Sequence, residues 1–187
     1  MAGSSVVTFD CPMFEEQQIS SGLSVIHCAD GIAVATLGPV CVVLWRGAVV
    51  AWRFELQRKG LAETVRLHPG KAVLLCVIEP TAAPPNAEFR RASADMLIGH
   101  GEDLRCVCSV IEAQGFRASV IRSVLAGMSH LVGRKELRKA FVANMDDAIE
   151  FLKPDVSPAT LRRLAPAIAE LRTTLAPAAE PFIVAQD

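Results

Sequence analysis

The sequence predicts an α/β fold in which helices pack on a mixed β-sheet of four to six strands, followed by a C-terminal helical extension. Three observations predict it. Short runs rich in β-branched residues fill residues 24–45, two continuous apolar runs lie within 71–79 and 104–113, and segments with helical periodicity alternate with these runs. Short strands joined by tight turns pair antiparallel, whereas apolar strands alternating with helices are typical of a buried parallel sheet.

The composition limits the classes of function. The chain has 187 residues, of which 51% are hydrophobic and only 5% aromatic, so we expect one domain with extensions and an aliphatic core. The high apolar share indicates a docking or self-association surface. A net charge of −1 predicts no nucleic-acid binding, which needs clustered positive charge. The sequence shows neither a signal peptide nor an apolar run long enough to span a membrane, so we expect a cytoplasmic protein.

The first part of the sheet is predicted to be antiparallel. Its three strands lie within residues 24–31, 32–38 and 39–47, and the turn signals Asp30-Gly31 and Gly38-Pro39 separate them.

A helix is predicted from about residue 48 to the break at 68–70, with Gly60 as a point of interruption. Helical spacing assigns its apolar face to Val49, Trp52, Leu56 and Leu61, opposite Arg53, Gln57, Arg58 and Lys59.

The second part alternates between strands and helices. The continuous apolar runs 71–79 and 104–113 predict central strands, and residues 139–143 a last short strand. Helices are predicted at 87 to about 97, at 115 to about 132 and at 145–153. Asn86 and Asn144 are the predicted N-caps of the first and last of these helices, and Asp147 lies in capping-box position.

The C-terminal segment carries a regular leucine pattern. Ser157-Pro158 predicts a helix start, and Pro166 predicts either a kink or a division into two short helices. Apolar residues recur at spacings of three and four: Leu161, Leu164, Ile168, Leu171 and Leu175. This pattern is typical of a helix folded back on its own domain, or of one that forms a homodimer or docks on a partner. The predicted organisation is a flexible tail at 1–22, a domain at 23–153, and a C-terminal helix and tail at 154–187.

Three local motifs accompany this element order: "VVLWRG" at 42–47, the strand and proline-rich loop at 74–85, and "MDDAIEFL" at 145–152. With them, residues 24–153 resemble the SpoIIAA-like branch of the STAS and anti-sigma-factor-antagonist superfamily. The resemblance implies a bacterial, non-enzymatic regulatory or adaptor protein that acts through another protein. The regulatory serine of that family is not carried over, because residues 79–85 contain no serine.

The loop after residue 78 is the predicted contact surface. Thr81 is its one hydroxyl and a candidate phosphosite, since a phosphate beside Glu79 would repel a like charge and release a partner. A turn-stabilising threonine is the commoner interpretation. The candidate residues for partner or ligand contact are Glu79, Thr81, Glu112, Gln114, Phe116 and Arg117.

Two other functions remain open. The SpoIIAA-like fold also resembles lipid-carrying proteins of the Sec14 type, which implies an apolar-ligand binder. An aliphatic pocket under the helix at 87–97 would favour it, and a tightly filled core would oppose it. The second is a weak hydrolase that uses Glu79 and Glu112, provided that both carboxylates share a cleft. Acidic strand ends are more often solvated or paired, for instance with Arg117.

The six cysteines are predicted to be core residues rather than metal ligands. No Cys-x-x-Cys spacing occurs, and no histidine lies at ligand spacing from a cysteine. Cys106 and Cys108 are two apart in a predicted strand, so their side chains should share a face. The sequence predicts no cofactor and no metal.

Overall fold

The structure is a computed structural model that describes residues 17–18, 22–115, 118–123 and 137–175. Its centre is a seven-stranded sheet in which the strands follow one another in chain order. The strands are β1 (Gln17–Gln18), β2 (Ser24–Ala29), β3 (Ile32–Leu37), β4 (Val40–Trp45), β5 (Ala72–Ile78), β6 (Leu104–Ile111) and β7 (Arg138–Val142). The first four pair antiparallel, whereas β4 to β7 pair parallel. Leaving aside the two-residue β1, this is the predicted mixed sheet of up to six strands.

Four helices have complete bounds: α1 (Ala51–Leu67), α2 (Ala87–Gly99), α3 (Met145–Leu152) and α4 (Pro158–Thr174). Residues 118–123 are also helical, and the remainder of the helix predicted to reach residue 132 lies outside the described residues. The predicted N-caps are confirmed. The side chains of Asn86, Asn144 and Ser157 each accept a hydrogen bond from the backbone N–H three residues further on.

The helices sit on opposite faces of the sheet. Residues that alternate along the strands form two separate apolar clusters, as period-two side-chain geometry requires. We call them the α1/α2 face, which includes Val34, Val43, Leu74 and Cys76, and the α3/α4 face, which includes Val42, Leu75 and Cys108. Cys106 lies on the same face as Cys108, as predicted.

The leucine pattern of α4 belongs to the core of this same domain. Leu161, Leu164, Ile168, Leu171 and Leu175 are all buried in the α3/α4 face cluster, so the helix folds back on the sheet. These side chains are therefore not available for the alternative, a homodimer seam. The helix runs without a break through Pro166, so the alternative of two short helices is wrong.

The predicted apolar face of α1 is correct at Leu61, which is buried, and at Val49 and Leu56, which pack against the α1/α2 face cluster, but it is wrong at Trp52. Trp52 is 45% exposed, whereas Arg53 and Gln57 are buried. Gln57 accepts a hydrogen bond from Trp45 Nε1 at 2.9 Å. Arg53 donates to the Ala48 carbonyl at 2.8 Å and lies 3.1 Å from the Asp30 carboxylate. Both side chains thus have a partner that sequence periodicity does not reveal, although Arg53 Nε itself makes no hydrogen bond.

Gly60 does not interrupt α1. The helix passes so close to the sheet here that a Cβ at residue 60 would lie 2.2 Å from Val34 Cγ1. Glycine therefore serves close packing of α1 on β3.

None of the helices within the described residues is long and apolar enough to cross a membrane.

Candidate functional site

The loop that follows β5, residues 79–86, separates two features at the carboxyl edge of the parallel strands. We call it the proline loop. Its start is fixed to the sheet, because the Glu79 N–H donates to the Trp45 carbonyl at 2.9 Å and the Ala82 N–H donates back to the Glu79 carbonyl at 3.0 Å. The Thr81 hydroxyl donates to the Arg46 carbonyl at 2.7 Å. On one side of this loop lies a cavity and on the other a group of ion pairs.

The cavity has a volume of about 110 Å³ and lies between the sheet and α2, on the α1/α2 face. The proline loop contributes Ala82, Ala83 and Pro85, and α2 contributes Ser93 and Leu97. The remaining walls come from the sheet and from α1 with its preceding loop, and the helical segment 118–123 contributes Ile121. Thirteen lining residues are apolar: Trp45, Val49, Phe54, Leu74, Cys76, Ile78, Ala82, Ala83, Pro85, Leu97, Val107, Ile121 and Phe141. An aliphatic pocket under the helix at 87–97, which the sequence analysis gave as a feature favouring a ligand binder, is therefore present.

Four polar residues line the same cavity: Gln57, Ser93, Ser109 and Lys139. Ser109 is 5% exposed, and the one other polar residue of β6 is Arg105, which is exposed. Gln57 uses its oxygen for Trp45, while its amide nitrogen has only a long contact of 4.0 Å to Met96 Sδ. Burial lowers the pKa of the Lys139 ammonium from its usual value. All four side chains can donate a hydrogen bond, and they lie in a wall that is otherwise apolar.

The ion pairs on the other side form an arginine–glutamate network of Arg46, Glu79, Glu112 and Arg172. Arg46 Nε lies 2.6 Å from Glu79 Oε2, and its Nη2 lies 3.2 Å from Oε1. Arg172 Nε lies 3.6 Å from Glu79 Oε1, and Arg172 Nη2 donates to Glu112 Oε1. Two positive and two negative groups therefore alternate, and Arg172 bridges the ends of β5 and β6.

The network also fixes the end of α4. Arg46 donates to the Leu175 carbonyl at 2.6 Å and to the Arg172 carbonyl at 3.3 Å. Carbonyls at a helix C-terminus lack partners within the helix, and cationic donors stabilise them. Arg46 therefore ties β4, β5 and α4 together. Its pKa is raised, chiefly by the hydrogen bond to the Glu79 carboxylate.

The sequence-predicted contact residues have different environments. Glu79 and Glu112 are brought together, as expected for strand ends at one edge, but arginines bridge them. Thr81 and Gln114 are exposed, while Phe116 and Arg117 lie outside the described residues. Neither glutamate lines the cavity, so the carboxylate pair does not share it.

Sequence analysis missed Arg46, Arg172 and the polar cavity residues. Arg46 directly follows a strand at the same edge as Glu79, a position that could have identified it. Arg172 is 60 residues from Glu112 in a segment predicted to be an extension, and nothing local links the two. Ser109 and Lys139 were visible only as isolated polar residues in strands.

The described cysteines lie in or beside the core. Cys41, Cys76, Cys106 and Cys108 are buried and Cys28 is partly buried, while Cys11 lies outside the described residues. Desolvation raises the thiol pKa of Cys41, Cys106 and Cys108 to about 12, and that of Cys76 also rises. Across the described part of the chain, no three His, Cys, Asp or Glu side chains form a group able to hold a metal ion.

Comparison of the chain with protein-family models, with curated proteins and with solved structures finds no match.

Proposed function

We propose that this chain is a non-enzymatic domain that binds a small, mostly apolar ligand in the cavity beneath α2. The observation that carries the proposal is the cavity itself, which thirteen apolar residues and four donor-bearing ones line. Most ligand pockets combine an apolar wall with a few polar groups that fix orientation. A core that served only stability would fill such a space with side chains, because the atoms that line a void lose dispersion contacts.

The cavity size limits the ligand. An apolar cavity of roughly 150 Å³ accepts benzene, whereas drug-sized molecules occupy about 300–1,000 Å³. At about 110 Å³, this cavity fits a single aromatic ring or a short aliphatic chain. A whole phospholipid of the kind that the Sec14 resemblance implies is much larger. We therefore propose a small metabolite rather than a lipid as the ligand.

The proline loop supports a regulatory role for such binding. Ala82 and Ala83 line the cavity, while the neighbouring Pro80, Thr81 and Pro84 are exposed. A ligand that displaces the cavity side of the loop would alter the surface that a partner protein contacts. This is consistent with the SpoIIAA-like resemblance, in which the loop after a central strand carries the regulatory contact. Thr81 remains a candidate phosphosite in that surface.

The test is direct binding of small neutral and acidic probes, namely benzamide, benzoate, hexanamide and hexanoate, measured by ligand-observed NMR on the full chain. We expect saturable binding by at least one probe. Ala83→Leu narrows the cavity and should abolish that binding, while Ala159→Leu, the same change on an exposed site of α4, should leave it intact. Thermal unfolding of both variants checks that the fold persists. Absence of binding by all four probes, or equal binding by both variants, would overturn the proposal.

A further inference from the structure

The side-chain amide of Gln57 is held in one orientation in the cavity wall. Gln57 lines the cavity and is only 6% exposed. Its Oε1 accepts the hydrogen bond from Trp45 Nε1 at 2.9 Å. Because an indole N–H can only donate, the amide oxygen must face Trp45, and the NH₂ group must point away from it. The buried side chain therefore presents an amide nitrogen in a fixed direction.

The NH₂ group of Gln57 has more donor capacity than the protein uses. It carries two hydrogens, and its contact among the described residues is Met96 Sδ at 4.0 Å. A thioether sulfur is a weak acceptor, and at this distance it engages at most one of the two hydrogens. Buried donors are normally paired with an acceptor. An acceptor oxygen in the cavity would therefore gain a hydrogen bond from Gln57.

The charges around the cavity favour a neutral ligand. No carboxylate occurs among the described lining residues, and the nearby Glu79 and Glu112 are bound to arginines. Lys139, the one charged residue in this part of the lining, already interacts with another group of the molecule. A charged ligand would therefore lose its hydration without gaining a free counter-charge, and that loss is costly in an apolar wall.

The lining favours an aromatic ring as the apolar part of the ligand. The chain contains two Trp and eight Phe, and three of these side chains line the cavity: Trp45, Phe54 and Phe141. Trp45 ends β4, Phe141 belongs to β7 and Phe54 belongs to α1, so the rings come from different sides. Aromatic rings attract one another in offset or edge-to-face arrangements, beyond the effect of the area that they bury.

We propose, on the basis of the function proposed above, that the ligand is a small neutral compound with one aromatic ring and one carbonyl group. The carbonyl oxygen accepts a hydrogen bond from Gln57 Nε2, and the ring packs against Trp45 and Phe54. Trp45 thus acts in two ways, because its indole N–H orients the amide and its ring contacts the ligand. Acetophenone and benzamide are simple members of this chemical class.

The experiment compares acetophenone with α-methylstyrene, in which a CH₂ group replaces the carbonyl oxygen. Ligand-observed NMR on the full chain measures both affinities for the wild type and for Gln57→Met. The change in the ketone-to-hydrocarbon affinity ratio between the two proteins cancels the different hydrophobicity of the probes. We expect Gln57→Met to lower this ratio about threefold to tenfold, the range of one hydrogen bond, while α-methylstyrene still binds.

Met96→Leu is the matched control, because it changes the packing beside Gln57 Nε2 but keeps both amide hydrogens. It should leave the affinity ratio unchanged. Two measurements on the wild type need no variant. In ¹⁵N-labelled protein, acetophenone should shift the side-chain NH₂ signals of Gln57 much more than α-methylstyrene does. Benzamide should bind more tightly than benzoate, since the described lining residues offer no free counter-charge.

The outcomes distinguish this inference from the proposed function. If none of the probes binds, the proposed function fails and this inference fails with it. If the probes bind but Gln57→Met keeps the wild-type ratio, or Met96→Leu lowers it equally, the cavity binds ligands but Gln57 is not the donor. Tighter binding of benzoate than of benzamide would likewise leave the proposed function standing and overturn the inference of a neutral ligand.

Discussion

The two faces of the sheet differ in how completely their helices fill them. On the α3/α4 face, α4 inserts five apolar side chains into a continuous cluster, and none of the cavity-lining residues belongs to that cluster. On the α1/α2 face, Gln57, Ser109 and Lys139 take positions that apolar residues hold elsewhere, and a cavity remains. Both faces carry a large apolar cluster, but only the α1/α2 face combines that cluster with a cavity and buried polar side chains.

The largest difference that we expect is in the loss of stability when a core leucine is truncated on one face or on the other. Leu164→Ala removes a fully buried side chain from the filled face and should cost about 4 kcal/mol of the free energy of unfolding. Leu97→Ala only enlarges an existing cavity, where one side of the leucine already lacks neighbours, and should cost about 2 kcal/mol. Urea denaturation of both variants measures the difference. Equal losses would contradict the contrast between the faces.

The arginine–glutamate network should be the next most sensitive feature. Glu79→Gln leaves Arg46 and Arg172 without their shared counter-charge at a nearly buried position and should cost about 2–3 kcal/mol.

Glu63→Gln provides the control, since its ion pair with Arg66 is exposed to solvent on α1 and should contribute little to the free energy of unfolding. Because the network ties the end of α4 to β4 and β5, hydrogen exchange of the amides near residue 175 should accelerate in Glu79→Gln but not in Glu63→Gln. Unchanged exchange would mean that the apolar seam alone holds α4.

The next prediction tests whether α1 packs tightly on β3. Tight packing there would mean that the cavity is a local feature and that the helix as a whole is not loosely packed. Gly60→Ala places a methyl group against Val34 and should destabilise the fold by about 1–3 kcal/mol, although alanine is the better helix former. Gly99→Ala is the control, because nothing lies within 4 Å of an added Cβ at the end of α2. Thermal unfolding checks both variants. A stabilised Gly60→Ala variant would indicate that the whole α1 layer is loose.

The fold was more predictable than the site for physical reasons. Strands and caps follow local rules, so the antiparallel start, the central strand β5 and the Asn86 and Asn144 caps were all predicted correctly. The inward face of α1 was predicted only in part, because the partners of Arg53 and Gln57 come from β4, the turn after β2 and the loop before α1, and only tertiary structure supplies them. Arg172 was missed for the same reason. A cavity is an absence of side-chain atoms, and sequence patterns do not encode it.

Thiol accessibility gives a smaller but direct comparison of the two faces. Burial raises the pKa of Cys76 on the cavity side and that of Cys106 and Cys108 on the filled side, so thiolate is scarce at all three near neutral pH. Access should then decide the order of reaction. We expect a small thiol reagent to modify Cys76 before Cys106 and Cys108, because Cys76 lines the cavity, as measured by mass spectrometry of native protein. Modification of Cys106 or Cys108 before Cys76 would oppose this.

The smallest expected effect is the pH dependence contributed by His27 on β2. It pairs with Val34 and so faces the α1/α2 side, where burial lowers its pKa below the usual 6.5. Between that lowered pKa and 6.5, the unfolded chain binds more protons than the folded chain, so the stability from this group is present above 6.5 and declines as the pH falls. His27→Gln should therefore lose less stability than wild type between pH 7 and pH 5, as measured by urea denaturation. An equal loss of stability in both proteins would mean that groups other than His27 cause the acid sensitivity.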